Sequence, residues 1–183
     1  MKIEQSKLVA ELRELSLKHL ELVQGLMSLN HDQLVQRPHE NAWNALECIE
    51  HLNRYGDFYL PECESRLLTA KIKAQNPIFR SSWLGEYFAQ SMWPKEGFKP
   101  IKTFAVMNPS QQDLNLSTLE KFESQLKAWL GFLDRSQDYD WRKIKTGISI
   151  SSLIKLRLGD TLRVVLYHHE RHLRQAYRAA RLA

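Results

Sequence analysis

The stretch Asp160-Thr161-Leu162-Arg163-Val164-Val165-Leu166-Tyr167-His168-His169-Glu170-Arg171-His172-Leu173-Arg174-Gln175-Ala176 decides the fold. Leu162, Val165, His169, His172 and Ala176 recur at three- and four-residue steps, the period of a helix with one face turned inward. Asp160 stands where a carboxylate would cap the first turn and complement the positive end of the helix dipole. The spacing predicts a helix from near Asp160 to about Arg181.

The same period appears three more times towards the N-terminus. A first helix is expected from about Ile3 to Leu29, with Leu8, Leu12, Leu15, Leu22, Leu26 and Leu29 on one side. After a connection over Asn30 to Ala42, a second helix is expected from about Ala45 to Lys73, capped by Asn41 or Asn44. Pro61 lies inside it. A mid-helix proline costs about 3 kcal/mol, so a bend is expected there, not a break, because the apolar stripe resumes at Cys63 and continues to Leu68. A third helix is expected from Ser117, with Glu120 completing a capping box, to near Ser136.

Between the second and third helices lies a long connection, Asn76 to Leu116, rich in aromatic residues (Phe79, Trp83, Tyr87, Phe88, Trp93, Phe98, Phe104). A connection of that length in a compact domain is often functional, and its aromatic content predicts that it packs down. A short helix is expected around Trp83 to Ser91. Asp138 to Ser149 reads as a connection and Ser151 to Arg157 as a short apolar helical turn. Four long helices, with the central connection long enough for helices two and three to run parallel, predict an all-α fold: a four-helix bundle.

Composition agrees. The chain has 183 residues, 43% hydrophobic and 26% charged, which suits one domain, residues 1–183, with a sizeable core. Seven glycines and six prolines are few for a fold built on many turns. No apolar run approaches the length of about 20 residues that spans a bilayer, and the charged start, Met1 to Glu14, does not resemble a signal peptide. A soluble cytoplasmic protein without a membrane partner is expected. Cys48 and Cys63, fifteen residues apart on one helix, would be separated by roughly 22 Å, too far for a disulfide.

The chemistry sits on histidine. His168 and His172 are one helical turn apart on one face, a spacing that lets two imidazoles hold one ion. His169 and His172 form a second pair at helical spacing. His51, in the second helix, would complete a facial set of three and leave coordination positions open. Cys48, one turn before it, reads either as a thiolate ligand or as a small buried apolar residue, the commoner fate of a free cysteine. Glu47 reads either as a partner that orients the His51 ring or as a solvated charge.

These residues carry a resemblance. Trp43, Glu47, Cys48, His51 and Leu52 on the second helix, with Asp160, Leu162, His168, Arg171, His172 and Gln175 on the last, resemble the motifs of the DinB-like (YfiT-like) metal-binding superfamily. The resemblance spans nearly the whole chain in layout. It implies an up-down-down-up order of helices and a metal held by His51, His168 and His172, with no role for His169. It implies a divalent ion, zinc first, with nickel, iron or manganese as alternatives. Superfamily members include thiol-dependent S-transferases and an isomerase, and many pair as homodimers.

Two functions follow as expectations. One is a metal-dependent enzyme, such as a low-molecular-weight-thiol S-transferase or a hydrolase, acting on a small-molecule substrate with a thiol cosubstrate in the first case. The other is a non-catalytic metal-binding stress-response protein. No catalytic residue is identified, although Glu47 and Tyr55 are the candidates for a general base. Arg171, Arg174, Arg178 and Arg181 form a basic stripe that reads as a solvated face suited to the helix C-terminus. With a net charge of only +5, nucleic acid is not an expected partner.

Overall fold

The structure, a computed structural model, describes residues 1–71, 78–95 and 103–181. Among them four long helices form the frame: α1 (Gln5–Met27), α3 (Ala45–Leu68), α5 (Leu116–Ser136) and α6 (Leu158–Ala179). Two short helices, α2 (His31–Val35) and α4 (Trp83–Met92), and a 3-10 turn (Ala105–Met107) lie in the connections. Two small antiparallel pairs complete it. β1 (Lys2–Glu4) pairs with β2 (Ile78–Arg80), Ile3 opposite Phe79. β3 (Lys145–Ile148) pairs with β4 (Ser151–Arg157), Thr146 opposite Leu156. The fold is mainly helical, and α1 and α3 each pack against both α5 and α6, while α4 lies on α6.

Several boundaries differ from those expected, for identifiable reasons. Ile3 belongs to a strand, not to the first helix. Asn30 and Gln33 form a capping box that starts α2 inside the expected connection. Asn44, not Asn41, caps α3 by accepting the Glu47 amide, and the Glu47 carboxylate accepts the Asn44 amide in return. α3 runs unbroken through Pro61 and stops at Leu68; Lys73 lies outside the described residues, as do Pro77 and Phe98 of the aromatic connection. α5 is capped by Asn115, which accepts the Ser117 amide, so the capping box expected from Ser117 and Glu120 does not form. Ser151 to Arg157 is a strand, not a helical turn: Leu156 faces inward while Leu153 and Lys155 face out. The aromatic connection packs down only in part, since Phe79 is buried but Trp83, Tyr87 and Phe104 are exposed.

Asp160 does not cap its own helix. α6 begins two residues earlier, and the buried Asp160 carboxylate accepts from the Ser81 hydroxyl, the Ser82 hydroxyl (2.9 Å) and the Ser82 amide (3.0 Å). Ser82 in turn caps α4 by accepting the Gly85 amide at 3.0 Å. Gly85 must be this small, because a Cβ there would collide with the Asp160 carboxylate. Arg163, one turn along α6, donates to Ser81 and to Glu86 of α4, each at 2.8 Å. This network fastens α4, which supplies one wall of the site, across α6.

The apolar interior divides in two. One cluster gathers Leu8, Leu12, Tyr59, Trp129, Phe132 and Leu162; the other gathers Val23, Leu46, Ile49, Phe122, Leu126 and Leu173. Between them in sequence on three of the long helices come buried polar residues, Ser16 and His19 on α1, Asn53 on α3, and His169 and Glu170 on α6, and on α5 the buried Gln125 stands close to the same boundary. The histidines of interest stand at this polar level.

Candidate metal centre

α3 and α6 bring the three expected histidines together. Capping at Asn44 fixes the start of α3, and the next two turns turn His51 towards α6, where it is 3% exposed. His168 and His172 occupy successive turns of α6 and are 8% and 9% exposed. One nitrogen from each ring lies within 4.8 Å of one nitrogen from each of the others. Nε2 of His51 and Nε2 of His168 are 3.3 Å apart. A tetrahedral ion with nitrogens at about 2.0–2.1 Å separates two of them by about 3.3 Å, so this pair has the required spacing.

The tautomers suit a cation. Nδ1 of His51 lies 2.7 Å from the Met107 carbonyl oxygen. A carbonyl only accepts, so the proton is on Nδ1 and the lone pair on Nε2. Nδ1 of His172 donates to Oε1 of Gln175 at 2.9 Å, which likewise frees Nε2. Burial lowers the pKa of His51 to about 4 and moves His168 and His172 well below the ordinary histidine range. The three rings are therefore neutral near pH 7, as ligands must be.

The loop that supplies the Met107 carbonyl is held by α3 itself. The Arg54 guanidinium donates to the carbonyls of Val106 (3.0 Å) and Asn108 (2.9 Å) and to Oε1 of Gln112 (2.7 Å). Glu47 accepts from the Gln111 amide at 2.9 Å. It also receives two hydrogen bonds from Arg37, at 2.6 and 2.7 Å. Glu47 is thus neither a solvated charge nor a direct partner of His51; it fixes the segment whose carbonyl orients the ring. Burial raises its pKa, but Arg37 and the two backbone amides outweigh this and lower it. As an ion-paired carboxylate with both oxygens engaged, it does not act as a general base.

Two aromatic rings flank the histidines. Trp43 packs on His51 and His172, at centroid distances of 4.8 and 5.8 Å, and Tyr55 on His51 and His168, at 4.9 and 4.7 Å. Burial raises the Tyr55 pKa to about 12, so its hydroxyl stays protonated near neutral pH. Cys48 is fully buried in the apolar cluster and burial pushes its thiol pKa up, which makes it a packing residue. Cys63 is also buried and unpaired. His169 points away from the other three, against Phe122 (5.1 Å) and His19 (5.9 Å).

The three histidines line a cavity of about 1030 Å³. Its walls come from α3 (Tyr55, Tyr59), α4 (Tyr87, Phe88), the β3–β4 hairpin (Ile148, Leu156) and α6 (Val165, Arg171, Arg174, Arg178). Space beside the nitrogens is therefore open to a small molecule. Of the groups that serve the site, the Met107 carbonyl gives no sequence signal, being backbone from a distant loop. Gln175 is readable as one turn beyond His172.

A model of the DinB superfamily matches residues 10–176. The chain belongs to the DinB superfamily. No curated protein and no solved structure matches it significantly. None of the described helices is long and apolar enough to cross a membrane.

Proposed function

We propose that this DinB-superfamily protein binds a divalent metal through His51, His168 and His172 and works as a metal-dependent enzyme on a small molecule. The carrying observation is the convergence of three buried imidazole nitrogens, within 4.8 Å of one another, on an open cavity. Three ligands with space beside them fit a catalytic arrangement better than a closed structural one. Zinc suits that donor set first; nickel, iron and manganese are the alternatives. The proposal includes the up-down-down-up bundle, supported by the packing of α1 and α3 on both α5 and α6.

When bound, such an ion keeps its full charge, because its ligands are neutral, and lowers the pKa of a water or thiol placed against it. The chain supplies the rest. The Met107 carbonyl and Gln175 hold the rings in the required tautomer. Trp43 and Tyr55 restrict water around the nitrogens. No carboxylate among the described residues lines the cavity to serve as base, which favours reactions whose nucleophile the ion itself makes acidic. Thiol S-transfer and hydrolysis are the two classes that fit.

Two measurements test this. Elemental analysis of purified protein is expected to find about one divalent ion per chain, and much less in His51→Ala and His168→Ala. A screen of electrophiles with low-molecular-weight thiols, and of activated esters with water, is expected to show turnover only in metal-loaded protein. Metal without turnover would leave the non-catalytic metal-binding role, and no metal would end the proposal.

A further inference from the structure

The histidines divide the cavity into unlike halves. α3 places His51, Tyr55 and Tyr59 along it at four-residue steps, so Tyr59 lies about 12 Å beyond His51 along the helix. α3 and α6 run antiparallel here: Tyr59 shares one core cluster with Leu162 and Val165, and Ile49 shares the other with Leu173 and Ala176. The Tyr59 half therefore faces the N-terminal part of α6, where Val164 and Val165 line the cavity. Phe88 of α4, with Ile148 and Leu156 of the hairpin, completes this half. The charged lining residues stand at or beyond the histidines. Arg171, Arg174 and Arg178 follow His168 on α6, and Lys95 follows the end of α4, where the Ser91 carbonyl accepts from Arg171.

Nothing in the Tyr59 half calls for a charged partner. Among the described residues, no Asp, Glu, Lys or Arg lines it. The side-chain polar groups there are hydroxyls. Those of Tyr59 and Ser149 serve each other at the far end: the Tyr59 oxygen accepts from the Ser149 amide at 3.3 Å and lies 3.5 Å from the Ser149 hydroxyl. Tyr55 joins that end to the histidines, stacked on Tyr59 at a centroid distance of 6.2 Å and packed on His168 at 4.7 Å. None of the buried polar atoms that lack a partner among the described residues belongs to a residue lining the cavity. A charge placed in this half would lose its hydration with no counter-charge to replace it. A hydrocarbon group there gains from every methylene it buries.

We propose that the Tyr59 half of the cavity seats an uncharged, hydrocarbon-rich arm of the substrate, an acyl, alkyl or aryl group, whose reacting end lies at the histidines. Tyr55 and Tyr59 on one side and Val164 and Val165 on the other hold the arm. This rests on reading the cavity as the place where the metal meets its substrate, and it names that substrate's class.

Calorimetric titration of zinc-loaded protein with butanamide, hexanamide, octanamide and 8-aminooctanamide tests it. The same titrations are run on Val164→Phe, Val164→Thr and Arg178→Gln, with zinc content and melting temperature measured in every sample. Affinity for the three neutral amides is expected to rise about threefold per added methylene. The terminal ammonium of 8-aminooctanamide should weaken binding about tenfold or more relative to octanamide. Val164 is half-buried, so a phenyl ring there fills the Tyr59 half and should abolish the gain with chain length, which Arg178→Gln should keep. Val164→Thr has nearly the same shape and should weaken octanamide about threefold; it decides the placement if Val164→Phe does not fold. No gain with chain length in the wild type overturns the proposal, as does a terminal ammonium that costs nothing. So does a gain untouched by the Val164 variants, since the arm would then lie elsewhere. A gain of the expected kind in protein that holds no zinc would sustain the apolar seat and sink the metal reading alone; full zinc content without the gain would do the reverse.

Discussion

His168, His169 and His172 share one stretch of α6 but meet different surroundings. The first and third face His51 and the cavity. His169 is 1% exposed and neither of its ring nitrogens has a hydrogen-bond partner among the described residues. A buried polar group without a partner carries its desolvation cost, and an apolar group of similar size removes it. His169→Leu is therefore expected to raise stability by about 1 kcal/mol and to leave metal content unchanged, read by thermal melting and elemental analysis. Glu47 is the opposite case, with every oxygen engaged. Glu47→Gln weakens the Arg37 pair and loosens the loop behind His51. A loss of about 2 kcal/mol in stability and about tenfold in metal affinity is expected by denaturant titration and competition with a chelator. An unchanged metal affinity would show that the Met107 carbonyl is held without Glu47. The three converging histidines were legible in the sequence because helical spacing and a family motif both mark side chains. The carbonyl and the clamps were not, because a backbone atom 56 positions away leaves no pattern.

At the scale of elements, the long helices were legible because each repeats its apolar period over 21 to 24 residues. The β3–β4 hairpin was not. Ile148 and Ser151 are joined through Ser149-Ile150, which lacks the Asn-Gly or Asp-Gly signal of a tight hairpin turn. The seven residues Ser151–Arg157, with only Leu153, Ile154 and Leu156 apolar, are too few for their period to tell strand from helix. Asp160 misled in another way: a carboxylate in the first turn suits the dipole of α6, yet its hydrogen bonds go to Ser81 and Ser82. In α3, Pro61 is exposed and sits inside a continuous helix. Alanine there restores one backbone hydrogen bond and removes a steric conflict, offset by greater freedom of the unfolded chain. Pro61→Ala is expected to stabilise by about 1–2 kcal/mol, seen as a higher denaturant midpoint with unchanged slope. A loss of stability would mean that the packing of α3 depends on the proline ring.

For the whole molecule, acid should act in two steps. Burial lowers the pKa of His19, against the opposing hydrogen bond that it donates to Glu170. A depressed histidine means that the unfolded chain takes up its proton first, so stability falls as pH drops below about 6.5. The hydrogen bonds from Arg163 hold the Glu86 carboxyl well below the usual carboxylate range, and Asp140 is lowered by Arg142 in the same way. Their contribution is complete above the unfolded value of about 4 and is lost as pH falls through the folded one. The melting temperature should therefore decline from pH 7 to 5 and more steeply from 4 to 3. Glu86→Gln should lower it at pH 7 and flatten the second decline. A curve for Glu86→Gln parallel to wild type would show that the α4–α6 clasp does not depend on this ion pair.

The segment behind His51 is gripped mainly through its backbone, at the Val106, Met107 and Asn108 carbonyls and the Gln111 amide. The exposed Val106 side chain is consequently free to change, whereas the Gln112 side chain holds Arg54 and position 111, with a φ of 63°, favours glycine or asparagine over most residues. Val106 is 75% exposed and sits one residue before the carbonyl that orients His51. A dye attached at a cysteine in that position, with Cys48 and Cys63 buried and unreactive, would report optically on the ring's surroundings as ions enter and leave.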